Sequence, residues 1–169
     1  MWAIAAMVLT TSFNMTKRIL IVCTGNICRS PVAAAMLQQG LTDIEVKSAG
    51  LAAGQGGVEP RIAALAKADG YDLSQHQAKP VDRNLLANAD LVLVMSAKQR
   101  QLIARTWPEM LGKTLLFGMW RTDKPIDDRD IPDPYQRSDE VCQLVYDTIK
   151  TASFAWREKL LDTGSKSVW

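Results

Sequence analysis

Residues 19–31 have the sequence ILIVCTGNICRSP, from which the central elements of the fold can be predicted. Ile19 to Val22 form a short, continuous apolar run, which is typical of a strand buried on both faces. Ser30 is a suitable helix cap and Pro31 suits the first helical position, so the helix-favouring residues 32–39 are expected to form a helix. The stretch therefore predicts a buried strand, a tight turn and a helix, in that order.

The rest of the chain alternates between strand-like and helix-like segments. Further strands are predicted over residues 44–49, 91–95 and 114–117, and helices over residues 60–70, 81–89, 97–107 and from Ser138 onward. Strands that alternate with helices indicate a parallel sheet with helices on both sides. We therefore expect an α/β fold, a three-layer sandwich around a four-stranded parallel sheet. In such folds ligands bind beyond the carboxyl ends of the strands, which predicts a phosphate-binding loop after the first strand.

Composition limits the classes of protein that fit. At 169 residues, the chain is long enough for one domain with its own core. Its 20 Lys and Arg residues and 18 Asp and Glu residues form no basic block, so no nucleic-acid partner is indicated. Three cysteines do not make a disulfide framework and favour a reducing compartment, hence the cytoplasm. His76 is the only histidine and no Cys-x-x-Cys pair occurs, so no metal or other cofactor is expected.

Residues 1–14 are interpreted separately from the domain. Met1 to Thr10 are apolar, but they are too few to cross a bilayer and lack the positive flank of a secretory signal. Met15 stands directly before the first predicted strand, as a natural start would. We interpret residues 1–14 as an upstream extension of unclear role and residues 15–169 as a single domain. Contact of the extension with a membrane surface is the alternative, and stable membrane insertion is not expected.

The segment that follows the first strand has the groups needed to bind and attack a phosphate. Backbone amides between Cys23 and Ser30 can surround an anion if Gly25 and Asn26 adopt left-handed backbone angles. The following helix adds positive charge at the same place through its N-terminus. The guanidinium of Arg29 matches two phosphate oxygens in a way that lysine does not.

The same surroundings favour the ionised form of the Cys23 thiol, because helix N-termini and basic neighbours stabilise a thiolate. The Ser30 hydroxyl can donate a hydrogen bond to that thiolate and later to the leaving sulfur. Cys23 is therefore predicted to be a nucleophile that needs no histidine base. The alternative is a structural buried cysteine beside a surface arginine.

Attack on a phosphate ester also needs an acid that protonates the leaving oxygen. Candidates lie within residues 118–137, an irregular stretch with five aspartates and three prolines, and long irregular stretches in compact domains are usually functional. Asp133 stands between Pro132 and Pro134, which restrict its backbone. Spacing alone does not choose it over the other aspartates. These are expected to be solvated turn residues: Asp123, Asp127, Asp128 and Asp130.

With these motifs, the chain resembles the low-molecular-weight protein tyrosine phosphatases from about Lys17 to Leu161. Residues 116–118, Trp120 and residues 131–135 are similar to the bacterial branch that partners tyrosine autokinases in capsule and exopolysaccharide production. The resemblance implies hydrolysis of phosphotyrosine through a phosphocysteine intermediate, with a tyrosine autokinase as the partner protein.

The resemblance also implies a role for each matching residue. Cys23 is the nucleophile, Arg29 binds phosphate and stabilises the transition state, and Asp133 is the acid and then the base for water. Tyr135 and Ile27 are the walls for the aromatic ring. The substrate-binding set that it implies is Thr24, Gly25, Asn26, Ile27, Cys28, Ser30 and Tyr135.

Other residues are implied to support or protect the loop. Asn26 holds the loop through a hydrogen-bond network that includes Ser48 and His76. Without the family, His76 is interpreted as a satisfied core or surface histidine, which is also a structural role. Cys28 is implied to protect Cys23 through a reversible disulfide, and a plain buried thiol is the alternative.

Three positions depart from the family pattern. The loop after Ser48 has no tryptophan, which many members use as a cleft wall. Lys79 stands where arginine is usual, and Ser96 stands where an acidic residue is common. These departures concern specificity and support rather than the reacting atoms.

Three alternative functions stay open at this point. An arsenate reductase of the same fold needs two further cysteines, and only Cys142 follows. Protein-arginine phosphatases typically have threonine where Ile27 stands. A non-hydrolytic phosphate-binding module has no use for an aspartate acid.

Overall fold

A computed structural model describes residues 13 and 15–161, so nearly all of the proposed extension, residues 1–14, lies outside the described residues. The strands are β1 Arg18–Cys23, β2 Glu45–Gly50, β3 Leu91–Val94 and β4 Thr114–Leu116. The α-helices are α1 Arg29–Gln38, α2 Pro60–Ala68, α3 Arg83–Asn88, α4 Ala97–Thr106 and α5 Asp139–Leu161. A 3-10 helix covers Pro108–Lys113.

The four strands form one parallel sheet in the order β2-β1-β3-β4. Ile21, near the middle of β1, is in register with Ser48 of β2 and Leu93 of β3. The chain moves outward from β1 to β2 and then crosses to the other side of β1 to form β3. A crevice is expected at the carboxyl ends of β1 and β3, where the strand order reverses. The predicted α/β fold with a four-stranded parallel sheet is confirmed.

Alternate residues of β1 face two separate cores. Ile19 and Ile21 pack in the core that contains the buried faces of α1, α2 and α5. Leu20 and Val22 face the opposite core, with Leu86 of α3 and Ile103 of α4. Burial of each such side chain contributes about 1.5–3 kcal/mol, so the apolar run fixes β1 at the centre of the sandwich. Helices on both faces complete the three predicted layers.

Local capping explains a difference at α3, which begins later than the predicted helix over residues 81–89. Asp82 has an extended backbone and its carboxylate accepts a hydrogen bond from Leu85 N at 2.8 Å, so Asp82 is the N-cap.

Among the described residues, no helix is long and apolar enough to cross a bilayer.

Gly50 ends β2 directly beneath the turn that follows β1. A Cβ atom at this position would lie 2.7 Å from the carbonyl oxygen of Thr24 and 3.0 Å from the amide nitrogen of Asn26. Both neighbours are backbone atoms, so neither can rotate away. The close approach of two backbones therefore requires glycine here.

We predict that Gly50→Ala lowers the free energy of unfolding by about 1–3 kcal/mol, because the added methyl group forces the backbone of residues 24–26 to move. Urea denaturation measures the change. Gly112→Ala is the matched control, since a Cβ atom there meets nothing within 4 Å; its effect is expected to stay within about 0.5 kcal/mol. Equal stability of the two variants would contradict the proposed close contact.

Candidate active site

A cleft of about 260 Å³ opens at the carboxyl end of β1. It is lined by Cys23, Thr24, Gly25, Ile27, Cys28, Arg29, Ala52, Gly54, Asp133 and Tyr135. A larger groove of about 750 Å³ runs along α2, but its lining contains none of the cysteines and neither Arg29 nor Asp133. The smaller cleft is therefore identified as the candidate site by its lining residues and not by its volume. It lies at the carboxyl end of β1, as predicted.

Asn26 connects the loop after β1 to its surroundings. Its backbone is left-handed, with φ at +56°, and its Nδ2 donates hydrogen bonds to Ser30 Oγ at 2.8 Å and Ser48 Oγ at 3.0 Å. Its Oδ1 accepts from Lys79 N at 3.1 Å, and its carbonyl oxygen lies 2.7 Å from His76 Nε2. The side chain is fully buried. These bonds hold a backbone conformation that a non-glycine residue rarely adopts.

The expectation that Gly25 is also left-handed is wrong, since positive φ in this loop occurs at Asn26. A Cβ atom at Gly25 would lie 3.3 Å from Cγ1 of Ile27. Gly25 therefore leaves room for the Ile27 side chain, and Asn26 is the residue of this loop with a left-handed backbone.

The sulfur of Cys23 lies within hydrogen-bond distance of two loop groups. Ser30 Oγ is 2.9 Å away, and Asn26 N donates to Sγ over 3.3 Å. Because Ser30 Oγ already accepts a hydrogen bond from the side-chain Nδ2 of Asn26, the hydroxyl proton of Ser30 is available to the Cys23 sulfur. The arrangement can stabilise negative charge on Cys23.

The prediction that Ser30 caps the following helix is wrong. α1 begins at Arg29 and its N-cap is Cys28, without a side-chain capping bond. The Ser30 hydroxyl is used by Cys23 and Asn26 instead. The backbone amides of Gly25, Ile27 and Cys28 make no hydrogen bond within the described part of the chain. They are available, with the N-terminus of α1, to bind an anion.

Arg29 crosses the cleft from α1 to the segment that contains Asp133. Its Nη1 donates to the carbonyl oxygen of Ile131 at 2.9 Å, and its Nη2 lies 3.6 Å from Oδ2 of Asp133. The residue is only 5% exposed, and its Nε has no hydrogen-bond partner among residues 13 and 15–161. A buried guanidinium with an unpaired N–H is costly unless an acceptor such as a phosphate oxygen binds it.

Of the five aspartates in the irregular stretch, Asp133 is the one that lines the cleft. Its Oδ1 accepts from Tyr135 N at 3.1 Å, and half of its side chain is exposed. The other four are exposed, as expected for solvated residues, but three of them also have a polar partner. Asp128 lies 3.7 Å from Lys124 Nζ. Asp130 accepts from Ala97 N at the start of α4, and Asp123 pairs with Arg121 at 2.7 Å, which holds the pKa of Asp123 below its usual value.

Sequence reasoning missed Gln99, which supports the loop from α4. Its Oε1 accepts from Met95 N at 2.8 Å, and its Nε2 donates to Thr24 Oγ1 at 3.1 Å. Ser96 caps α4 by accepting from Gln99 N. The Ser-x-x-Gln pattern at a helix start is a capping signal, which predicts that the Gln99 side chain folds back toward the helix start but does not predict its bond to Thr24.

The cleft has one aromatic wall among its lining residues. Tyr135 is half exposed, and Ala52, Gly54 and Ile27 form other parts of the lining. Small residues therefore stand in the loop where many family members have tryptophan.

The two other cysteines are buried and are free thiols. Burial raises the pKa of Cys28 to about 12, and the nearby charges of Asp133 and Cys23 add to this effect. Burial also raises the pKa of Cys142, whose Sγ lies 3.8 Å from the carbonyl oxygen of Pro134. Both thiols are therefore neutral at neutral pH. No group of His, Cys, Asp and Glu side chains that could hold a metal ion occurs in the described ranges.

A cysteine and an arginine on one loop, with an aspartate across the cleft, define a cysteine-dependent phosphatase site. The chain belongs to the family described as low molecular weight phosphotyrosine protein phosphatase, whose model matches residues 18–166. It is 37% identical to the low molecular weight protein-tyrosine-phosphatase Wzb of Escherichia coli K12 over 147 residues, which cover 86% of this chain and 97% of that protein.

Solved structures agree with this family membership. The tyrosine phosphatase Wzb from Escherichia coli K30, in complex with sulphate, matches with a TM-score of 0.80 and 38% identity, over 86% of this chain and 99% of that chain. The YwlE arginine phosphatase from Geobacillus stearothermophilus matches with a TM-score of 0.78 and 33% identity, over 86% of this chain and 94% of that chain. The fold is therefore shared by phosphatases named for two different phosphorylated residues.

We predict that iodoacetamide modifies Cys28 and Cys142 slowly in the folded protein at about pH 7, because their raised pKa values leave little thiolate. Modification of Cys28 should accelerate as the pH rises toward 12, since the thiolate fraction grows in that direction. Mass spectrometry of the digested protein measures each rate, with denatured protein as the control. Modification of folded Cys28 at the denatured rate near neutral pH would contradict its burial.

Proposed function

We propose that this protein hydrolyses phosphotyrosine in a protein substrate, with Cys23 as nucleophile and no metal ion. One observation carries the proposal: Cys23, Arg29 and Asp133 line the same cleft, and Arg29 has an Nε without a hydrogen-bond partner among the described residues. A phosphate held by the loop amides and Arg29 is then in contact with both the nucleophile and the acid. The family match and its named relatives support this assignment.

In the first step, the thiolate of Cys23 attacks phosphorus and the bond from phosphorus to the tyrosine oxygen breaks. Asp133, in its protonated form, donates its proton to the departing oxygen, so tyrosine leaves as a neutral phenol. Arg29 and the loop amides stabilise the charge on the phosphoryl oxygens in the transition state. The product is a phosphocysteine at Cys23 and an Asp133 carboxylate.

In the second step, water attacks the phosphocysteine and the sulfur–phosphorus bond breaks. The Asp133 carboxylate accepts a proton from that water, and inorganic phosphate forms. The sulfur leaves as a thiolate, which the Ser30 hydroxyl and the Asn26 amide can stabilise. Both residues are thereby restored to their starting protonation states.

Tyrosine is proposed as the phosphorylated residue because two large side chains, Ile27 and Tyr135, line the cleft. A flat phenyl ring can pack against Tyr135 in an offset or edge-to-face arrangement. The arginine phosphatase among the structural relatives makes phosphoarginine the second candidate.

An arsenate reductase relay has little support in the described structure. Such a relay passes a disulfide between further cysteines. Cys142 is buried in α5, and its sulfur lies against the carbonyl oxygen of Pro134. The complete set of Cys23, Arg29 and Asp133 also fits hydrolysis better than phosphate binding alone.

The resemblance of residues 131–135 to the bacterial branch favours a tyrosine autokinase of capsule or exopolysaccharide production as the partner. Three free thiols suit the cytoplasm, where such a kinase exposes its phosphorylated tail. Cys23→Ser keeps the loop but removes the nucleophile, so it should retain phosphorylated substrates. Capture of a tyrosine-phosphorylated kinase by this variant, and release by vanadate, would support the assignment; capture of other phosphoproteins alone would contradict it.

We predict that Cys23→Ser abolishes hydrolysis of a phosphotyrosine peptide, because the reaction loses its nucleophile. Asp133→Asn is expected to slow it by about 10²–10⁴-fold, since that is the usual contribution of a general acid. Release of inorganic phosphate measures both rates. Asp127→Asn, an exposed aspartate of the same stretch, is the matched control and should keep wild-type activity. Equal losses in Asp133→Asn and Asp127→Asn would contradict the assignment of the acid.

We predict that Ile27→Thr reduces kcat/KM for the phosphotyrosine peptide by about 10-fold, because the ring loses an apolar wall contact worth about 1–2 kcal/mol. Activity on a phosphoarginine peptide should rise relative to phosphotyrosine. Parallel assays of both peptides measure the ratio. Wild-type protein that prefers phosphoarginine would overturn the choice of tyrosine.

A further inference from the structure

Arg61, in the first turn of α2, contacts three neighbouring groups at once. Its Nε donates to Glu59 Oε1 at 2.8 Å, and its Nη1 donates to the carbonyl oxygen of Arg137 at 2.6 Å. The same Nη1 lies 3.2 Å from Oδ1 of Asp139. Arg61 therefore joins the start of α2 to the segment that leads from the cleft into α5.

Glu59 connects Arg61 to the phosphate-binding loop. Its backbone N donates to the carbonyl oxygen of Ile27 at 2.8 Å, and its Oε2 accepts from Ile62 N at 3.0 Å as the cap of α2. The Glu59 side chain is only 15% exposed. Since both its backbone and its carboxylate are hydrogen-bonded, Glu59 fixes the Arg61 side chain relative to the phosphate-binding loop.

Arg137 connects Arg61 to the acid and to the cleft wall. Arg137 N donates to the carbonyl oxygen of Pro134 at 3.0 Å, which closes a tight turn, and Gln136 within that turn has φ at +57°. Inside the same segment, Tyr135 N donates to Asp133 Oδ1. A turn with a left-handed non-glycine residue is strained, so it persists where outside contacts hold it.

The location of Arg61 is unfavourable by itself. A positive side chain in the first turn of a helix is opposed by the positive end of the helix dipole. Glu59 and Asp139 offset this repulsion, and both face the same guanidinium. The planar fork of arginine donates in two directions at once, to Glu59 and to Arg137, which a single ammonium group does less well.

We infer that Arg61 is a positioning residue, which fixes Asp133 relative to the phosphate-binding loop through Glu59 on one side and Arg137 on the other. The inference rests on the proposed function and adds a determinant of acid catalysis to it. Arg61 is absent from the cleft lining, so its effect is exerted through the groups it holds.

Two aryl phosphates that differ in leaving group distinguish a selective loss of acid catalysis from a general loss of activity. Phenyl phosphate needs protonation of its leaving oxygen, whereas 2,4-dinitrophenyl phosphate has a leaving group stable as an anion and barely needs an acid. Arg61→Ala should lower kcat/KM for phenyl phosphate by about 10–100-fold, because a displaced acid transfers its proton poorly. The value for 2,4-dinitrophenyl phosphate should change by less than about threefold.

Three further variants complete the experiment. Arg83→Ala is the matched control, because Arg83 also lies in the first turn of a helix and pairs with an exposed glutamate, Glu109; it should leave both substrates unchanged. Arg61→Lys should give an intermediate, equally selective loss. In an Asp133→Asn background, Arg61→Ala should add little, because both changes impair the same acid.

Thermal unfolding of each variant verifies that it is folded, and Arg61→Lys provides the comparison if Arg61→Ala unfolds early. An equal loss on both substrates, or no loss on either, would overturn the positioning role while leaving the proposed function intact. Failure of the wild-type protein to hydrolyse either aryl phosphate would instead overturn the proposed function and the inference with it.

Discussion

The buried side chain of Asn26 is the constraint on which the cleft depends. Its amide connects the loop to Ser30 of α1 and Ser48 of β2, and its backbone is held in a left-handed conformation. Without these bonds, the left-handed backbone at Asn26 is not stabilised, and the loop amides between β1 and α1 are not held in their positions. The same side chain orients Ser30 so that its proton is available to the Cys23 sulfur. The conformation of the loop and the hydrogen bond between Ser30 and the Cys23 sulfur therefore depend on the same side chain.

The other side of the cleft depends on contacts made across the molecule. Arg29 reaches the carbonyl oxygen of Ile131 and approaches Asp133, so the irregular segment is held against the loop even though it has no regular secondary structure. Arg61 and Glu59 add a second connection between the same two segments. The carboxyl end of the sheet thus supports the loop, and contacts from two arginines join the loop and its flanking helices to the segment that contains Asp133.

Much of this architecture was predictable from local sequence patterns. The apolar run Ile19 to Val22 and the residues that follow it define the central strand and the loop, because burial and turn chemistry act over neighbouring residues. The failure of Ser30 to cap the helix was not predictable, since its hydroxyl is bonded to Cys23 and Asn26, which only the fold brings together. The choice of Asp133 among five aspartates also depends on tertiary structure, as does the inward turn of Gln99 toward Thr24. Long-range contacts of this kind leave only weak signals in the sequence.

The central claim is that phosphate is transferred to the Cys23 sulfur and to no other thiol. The most direct measurement mixes the protein with a phosphotyrosine peptide carrying radiolabelled phosphate, stops the reaction with an alkaline denaturant and locates the label by peptide mapping. We expect label on Cys23, its loss in Cys23→Ser and its retention in Cys28→Ser. Label on Cys28, or turnover of the peptide with no labelled cysteine, would contradict it.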